Sequence, residues 1–158
     1  MINEVDTKKQ ELFKQTFEVV NHNFQEIFET LMRKGKAYLD LEDEEQPLNG
    51  GMTIKVKIGG NKYLDIRALS GGEKTMTAIA FLFAVQEHEP AAFYVLDEVD
   101  AALDKKNSER LAKLFQEYSE HSQYILITHN DEVINRADNL YGVSMQENNL
   151  SKVTTLEV

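Results

Sequence analysis

The sequence predicts an α/β fold in which a parallel sheet with flanking helices is joined to a small antiparallel strand region and preceded by one amphipathic helix. Three observations carry this expectation. Near the start, apolar residues recur at spacings of four and three, from Phe13 through Phe17, Val20, Phe24 and Ile27 to Leu31. A middle stretch alternates, with Ile54, Val56 and Ile58 separated by Lys55 and Lys57. Beyond Ser70, short apolar runs alternate with helical patterns, as strands joined by crossover helices do.

The leading stripe is helical because residues three and four apart share one helix face. Val19 and Phe28 widen it beyond a two-stranded seam, so this helix is expected to pack on its own domain. Arg33 and Lys34 suit the negative end of the helix dipole, and Gly35 is the expected stop. Residues 37–41 and 53–58 read as half-buried antiparallel strands, with Lys55 and Lys57 on the wet side. The acidic run 42–45 between them reads as a solvated, mobile loop, because like charges repel and no ligand geometry is visible. Then come a helix over 72–86 that is apolar on nearly every side, an apolar strand over 91–96, a helix over 105–118, an apolar strand over 123–127, a short helix over 131–137 and two terminal strands. The chain shows no internal repeat and no low-complexity segment.

With 158 residues the chain fits a single domain able to bury roughly 68–70% of its unfolded surface, so no staple is required. It contains no cysteine, which excludes disulfides and thiolate zinc sites and suits a reducing, cytoplasmic compartment. Its 17 basic and 27 acidic residues give a formal charge of −10, so DNA binding by this segment alone is expected to be weak, since phosphate contacts need clustered Lys and Arg. No apolar run is long enough to span a bilayer, and no membrane partner is expected.

In parallel sheets, ligands sit beyond the carboxyl ends of the strands. Phe93-Tyr94-Val95-Leu96 runs into Asp97-Glu98, and Tyr124-Ile125-Leu126-Ile127 runs into Thr128-His129-Asn130. Adjacent acids there suit phosphoryl transfer, with Asp97 holding Mg²⁺ through its water shell and Glu98 orienting or deprotonating the attacking water. Alone, such a pair is as well explained by strand-end solvation, and a lone His129 by structural hydrogen bonding. The context is Leu69-Ser70-Gly71-Gly72-Glu73-Lys74. Ser70 with Glu73 forms a capping box, which accounts for the helix start. Capping does not account for Gly71 and Gly72, whose missing side chains would let an anion approach the helix N-terminus, with the Ser70 hydroxyl as a further donor.

The combination of Leu69-Ser-Gly-Gly-Glu-Lys74, Val95-Leu-Asp-Glu-Val-Asp-Ala-Ala-Leu-Asp104 and Ile127-Thr-His-Asn130 resembles the C-terminal head lobe of structural maintenance of chromosomes (SMC) proteins, and the closing Gly142-Val-Ser-Met145 and Ser151-Lys-Val153 look like prokaryotic, particularly archaeal, members. The resemblance implies an ABC-type ATPase head half with ATP and Mg²⁺ as cofactors. It implies that Ser70, Gly71, Gly72 and Glu73 form the signature motif that meets the γ-phosphate of ATP held on another head. It also implies Glu98 as general base, Asp97 as the magnesium carboxylate, Asp104 as the D-loop residue at the dimer interface and His129 as the γ-phosphate switch. Residues 1–35 would be the base of a coiled-coil arm and 36–158 the lobe. The implied partners are an N-terminal head lobe, a second head, the winged-helix domain of a kleisin, and DNA through the full complex, with a nucleoid location.

One departure matters. The chain nowhere contains Gly-x-x-x-x-Gly-Lys-Ser/Thr, the loop whose amides and lysine cradle phosphates. It is therefore expected to be an excised or separately encoded half, inactive as an ATPase alone. The rivals are a related break-repair or transporter ATPase and a non-catalytic docking domain for a kleisin or partner helix. Glu73-Lys74 and Val99-Asp100 favour the SMC resemblance over transporters, where Gln and then Pro-Thr are usual. The joint retention of Ser70, Glu98 and His129 disfavours pure docking.

Overall fold

The periodic apolar stripe forms α1 (Ile2–Met32) in the structure, a computed structural model that describes residues 2–157. The chain divides into two units, Met1–Ala92 and Phe93–Val158. In the first, Val20, Phe24, Ile27, Phe28 and Leu31 of α1 are buried, whereas Val5, Leu12 and Val19 remain exposed. The helix thus packs on its own unit over its second half, as the width of the stripe predicts.

Where α1 ends differs from expectation. Arg33, not Gly35, adopts the left-handed conformation (φ 54°), and its N–H donates to the Glu29 carbonyl at 2.8 Å, closing the last turn. Gly35 is instead the first residue of β1 (Gly35–Leu41), and it is glycine for a steric reason. A Cβ there would lie 2.7 Å from Phe28 Cε1 and 3.3 Å from Met32 Cβ. The Phe28 ring is fully buried and cannot swing away, so Gly35→Ala is expected to destabilise the chain by about 1–3 kcal/mol, the usual cost of overpacking. A urea midpoint equal to wild type would show that the ring yields.

β1 pairs antiparallel with β2 (Met52–Ile58), Ala37 lying opposite Val56 and Leu39 opposite Ile54. The alternation turns Val56 inward and leaves Lys55 near Asp40 and Lys57 over the Tyr63 ring. The acidic run between the strands is tied rather than loose. Asp43 Oδ1 accepts from the amides of Glu45 and Gln46, and Glu42 Oε2 accepts from the Gly51 amide at 3.0 Å. Short polar side chains bond their own backbone readily, which an argument from charge repulsion overlooks. β3 (Leu64–Asp65) adds a brief third strand, and a 3-10 turn (Ile66–Ala68) leads into α2 (Gly71–His88). α1 packs against both α2 and β1. Phe24 meets the Phe81 ring edge-on, and Asn21 Oδ1 accepts from the Leu39 amide at 2.8 Å.

In the second unit, β4 (Phe93–Asp97) and β5 (Gln123–Ile127) form a parallel pair joined through α3 (Lys105–Tyr118). A short helix α4 (Asp131–Ile134) follows, and β6 (Asn139–Met145) with β7 (Ser151–Glu157) closes the chain as an antiparallel pair. The apolar stripe of α3, Leu111, Ala112, Leu114 and Phe115, is buried, with Phe115 against the Tyr124 ring, which stacks on Tyr94. The opposite sheet face is bare: Phe93, Val95, Ile125 and Ile127 are 45–59% exposed. The apolar runs read from sequence as wholly buried strands are therefore covered on one face only among the described residues. Parallel sheets are normally covered on both.

Candidate functional site

The signature residues and the carboxylates fall in different units and are described separately. In the first unit, Ser70 is the N-cap of α2 and the expected capping box is complete. The Ser70 amide and hydroxyl both donate to Glu73 Oε2, at 2.9 and 2.8 Å, and the Glu73 amide donates back to Ser70 Oγ at 3.4 Å. Gly71 is exposed, and a Cβ added to it would meet nothing within 4 Å. The helix N-terminus is thus open to an anion, but the Ser70 hydroxyl is already engaged by a carboxylate. A phosphate arriving there would take over that donor and displace Glu73.

In the second unit, the register pairs Asp97 with Ile127, so the residues after each strand leave the sheet side by side. The Glu98 amide donates to the Ile127 carbonyl at 2.8 Å, carrying the pairing one step past the strands. Glu98 has φ 48°, a left-handed conformation that costs a non-glycine residue free energy and persists only when its surroundings impose it. The result turns its side chain toward the neighbouring loop. Glu98 Oε1 lies 3.5 Å from His129 Nε2, both side chains being largely open to solvent. A carboxylate and an imidazole thus meet at one sheet edge.

Below this pair lies a hollow of about 290 Å³ lined by Glu98, Asp100, Ala101, Leu103, His129 and Asn130. Two of its lining residues, Asp100 and Asn130, belong to a hydrogen-bonded polar group to which the sequence reading gave no role. Asp100 is only 4% exposed, and its Oδ2 accepts from the Thr128 hydroxyl at 2.5 Å. Thr128 Oγ1 in turn accepts from the Asn130 amide at 2.9 Å, and Asn130 Nδ2 donates to the buried Ser108 Oγ at 2.8 Å. Ser108 had a legible signal, a serine on the apolar stripe of α3. Asp100 stands in the motif that carries the resemblance, but nothing in the sequence marks it as buried, since an acid in a loop reads as solvated. Asp104, expected at a dimer interface, serves here as the N-cap of α3, its Oδ1 accepting from the Asn107 amide at 2.8 Å.

The donor set tests what cation could bind. Among the described residues no group of three or more His, Cys, Asp or Glu could hold a metal. A hydrated cation such as magnesium, which keeps several waters and takes one or two carboxylates together with substrate phosphates, needs no such cluster. Asp97 is exposed at the end of β4.

A family model described as RecF/RecN/SMC N terminal domain matches residues 3–152. The chain is 46% identical over 157 residues to the chromosome partition protein Smc of Pyrococcus furiosus, covering 99% of this chain and 13% of that protein. It superposes with a TM-score of 0.90 on a crystal structure of the Smc head domain with an extended coiled coil bound to the C-terminal domain of ScpA, from the same organism, at 46% identity and covering 99% of this chain and 39% of that one. A structure from work on ATP-driven dimerization and DNA-stimulated activation of SMC ATPases matches with a TM-score of 0.86 and 44% identity, covering 94% of this chain and 89% of that chain. The fold is therefore that of an SMC head, and the prokaryotic, archaeal cast of the sequence is supported. The C-terminal label is corrected: the family model that matches is described as that of the N terminal domain. Nothing in the chemistry of residues 70–73, the Asp97–Glu98 pair or His129 fixes which end of a longer chain carries them.

Proposed function

The chain belongs to the RecF/RecN/SMC family, and on that premise we propose that it supplies part of a composite ATP-hydrolysing site in the head of a chromosome-organising SMC protein. The observation that carries the reading is the Glu98–His129 pair, Oε1 to Nε2 3.5 Å, at the adjacent carboxyl ends of two parallel strands. Glu98 accepts a proton from the water that attacks the γ-phosphate, and His129, beside it, meets the transferred phosphoryl group. Asp97 would hold magnesium through its water shell, and the ion would neutralise charge on the phosphates.

Ser70, Gly71, Gly72 and Glu73 present the N-terminus of α2 to ATP bound on a second head, and Asp104 lies on the loop facing that head. The phosphate-cradling loop, absent from this sequence, comes from a separate P-loop-bearing segment. The first half of α1 is the base of a coiled-coil arm, consistent with its exposed Val5 and Leu12. A kleisin winged-helix domain is the proposed partner, because the superposed Pyrococcus furiosus head is bound to the C-terminal domain of ScpA. DNA is engaged through the whole assembly, since a formal charge of −10 disfavours strong binding by this segment alone, and the site of action is the nucleoid. Among the described residues no helix is long and apolar enough to cross a membrane.

The test is ATP turnover by this chain alone and after mixing with a P-loop-bearing head segment from the same organism. Silence alone and turnover on mixing are expected. Turnover by the chain alone would refute the composite site.

A further inference from the structure

Glu98 holds a left-handed backbone angle in an open loop, and His129 stands beside it with most of its ring in water. Neither residue is fixed by its own packing, so something beneath them must set the distance between them. The two loops are joined at two levels. At the top is the Glu98 amide bond to Ile127. Beneath is the chain of bonds from Asp100 through Thr128 and Asn130 to Ser108, which begins two residues after Glu98 and passes through both neighbours of His129. The Ala101 and Leu103 amides donate to the Glu98 and Asp100 carbonyls, so the first loop is a tight turn that moves as one piece with Asp100. Asn130 also caps α4 through the Glu132 amide, which anchors the second loop at its far side.

We infer that Thr128 is a positioning residue: its hydroxyl, bridging buried Asp100 to the Asn130 amide, locks the turn that carries Glu98 to the loop that carries His129. The physical warrant is the cost of burying a carboxylate. Asp100 is tolerable inside only while it is hydrogen-bonded. Among the described residues, Thr128 satisfies it while also holding the second loop. Without that hydroxyl the carboxylate must seek water, the turn opens, and the Glu98–His129 spacing is lost. Displacements of about 1 Å in such constellations cost on the order of 10²-fold in rate.

The inference rests on the catalytic reading above, so the experiment separates the two. In the reassembled head, Thr128→Val, which keeps the shape and removes the hydroxyl, is expected to shift the His129 ring resonances in NMR spectra and to lower kcat by about 10- to 100-fold with KM little changed. Thr128→Ser restores both, since it keeps the donor and the acceptor. Ser108→Ala, at the far end of the chain of bonds and less disruptive to folding, moves the same resonances by less. Unchanged His129 resonances in Thr128→Val and Ser108→Ala would overturn the inference, as would wild-type kcat in both variants of a head that Glu98→Gln inactivates. If Glu98→Gln itself leaves turnover intact, the catalytic reading falls, and the resonance shifts still decide whether Thr128 sets the spacing.

Discussion

Glu98→Gln in the head reassembled with its P-loop segment is expected to lower ATP turnover by about 10²–10⁴, the usual contribution of a positioned general base. The change keeps the size and hydrogen-bonding reach of the side chain and removes only its capacity to take a proton. More than half of the side chain is open to solvent, and no buried partner is orphaned by the substitution. Stability should therefore stay within about 0.5 kcal/mol, as for surface changes away from special features. Association with the P-loop segment should also persist. Turnover equal to wild type would remove Glu98 from the mechanism and leave the docking alternative standing.

The second large effect concerns the core that supports α1. Phe28→Ala is expected to cost about 3–5 kcal/mol, the range for deleting a buried phenyl ring. Phe28 is fully buried, sits 5.9 Å from the Phe24 ring, and is the group that excludes a side chain at Gly35. Set against a typical total of about 5–15 kcal/mol, that loss would leave the first unit marginal. Denaturant unfolding followed by circular dichroism reads it directly. The same geometry predicts a compensation: the methyl of Gly35→Ala enters the space that the ring vacates, so the double variant should be more stable than the sum of the two single costs. Strict additivity would mean that the ring and the glycine do not meet as the structure has them.

Much of the fold was legible because periodicity and packing agree along most of the chain. α3 and β5 fall where the apolar spacing puts them, and the β1–β2 pairing follows from the alternation of Ile54, Val56 and Ile58. The end of α1 was misplaced because a glycine after a helix suggests a left-handed stop, whereas here Arg33 bears that angle and Gly35 answers to a close approach that spacing in sequence does not reveal, the Phe28 ring 2.7 Å from where its Cβ would lie. The bare face of β4 and β5 was illegible for a different reason. An apolar run reports that a strand can be covered on both faces, not whether the covering layer belongs to the same segment. At the candidate site, the sequence singles out residues whose chemistry faces solvent and assigns no role to the polar residues hydrogen-bonded beneath them. Asp100 and Thr128 are ordinary loop residues until the fold brings them within a hydrogen bond.

The split personality of α1 has a mechanical consequence. From Val20 to Leu31 its apolar side chains are buried, and the Asn21 side chain ties it to the β1 backbone, while the stretch from Glu4 to Val19 is mostly exposed. That exposed stretch is roughly 24 Å long at about 1.5 Å per residue. It is a lever with its fulcrum clamped in the sheet. A tilt of about 10° at the clamp would displace the tip by roughly 4 Å over that length. In the reverse direction, a force applied to the tip reaches β1 as torque, through links that include the Phe28 ring against Gly35, the Asn21 hydrogen bond to Leu39 and the Glu29–Lys36 ion pair.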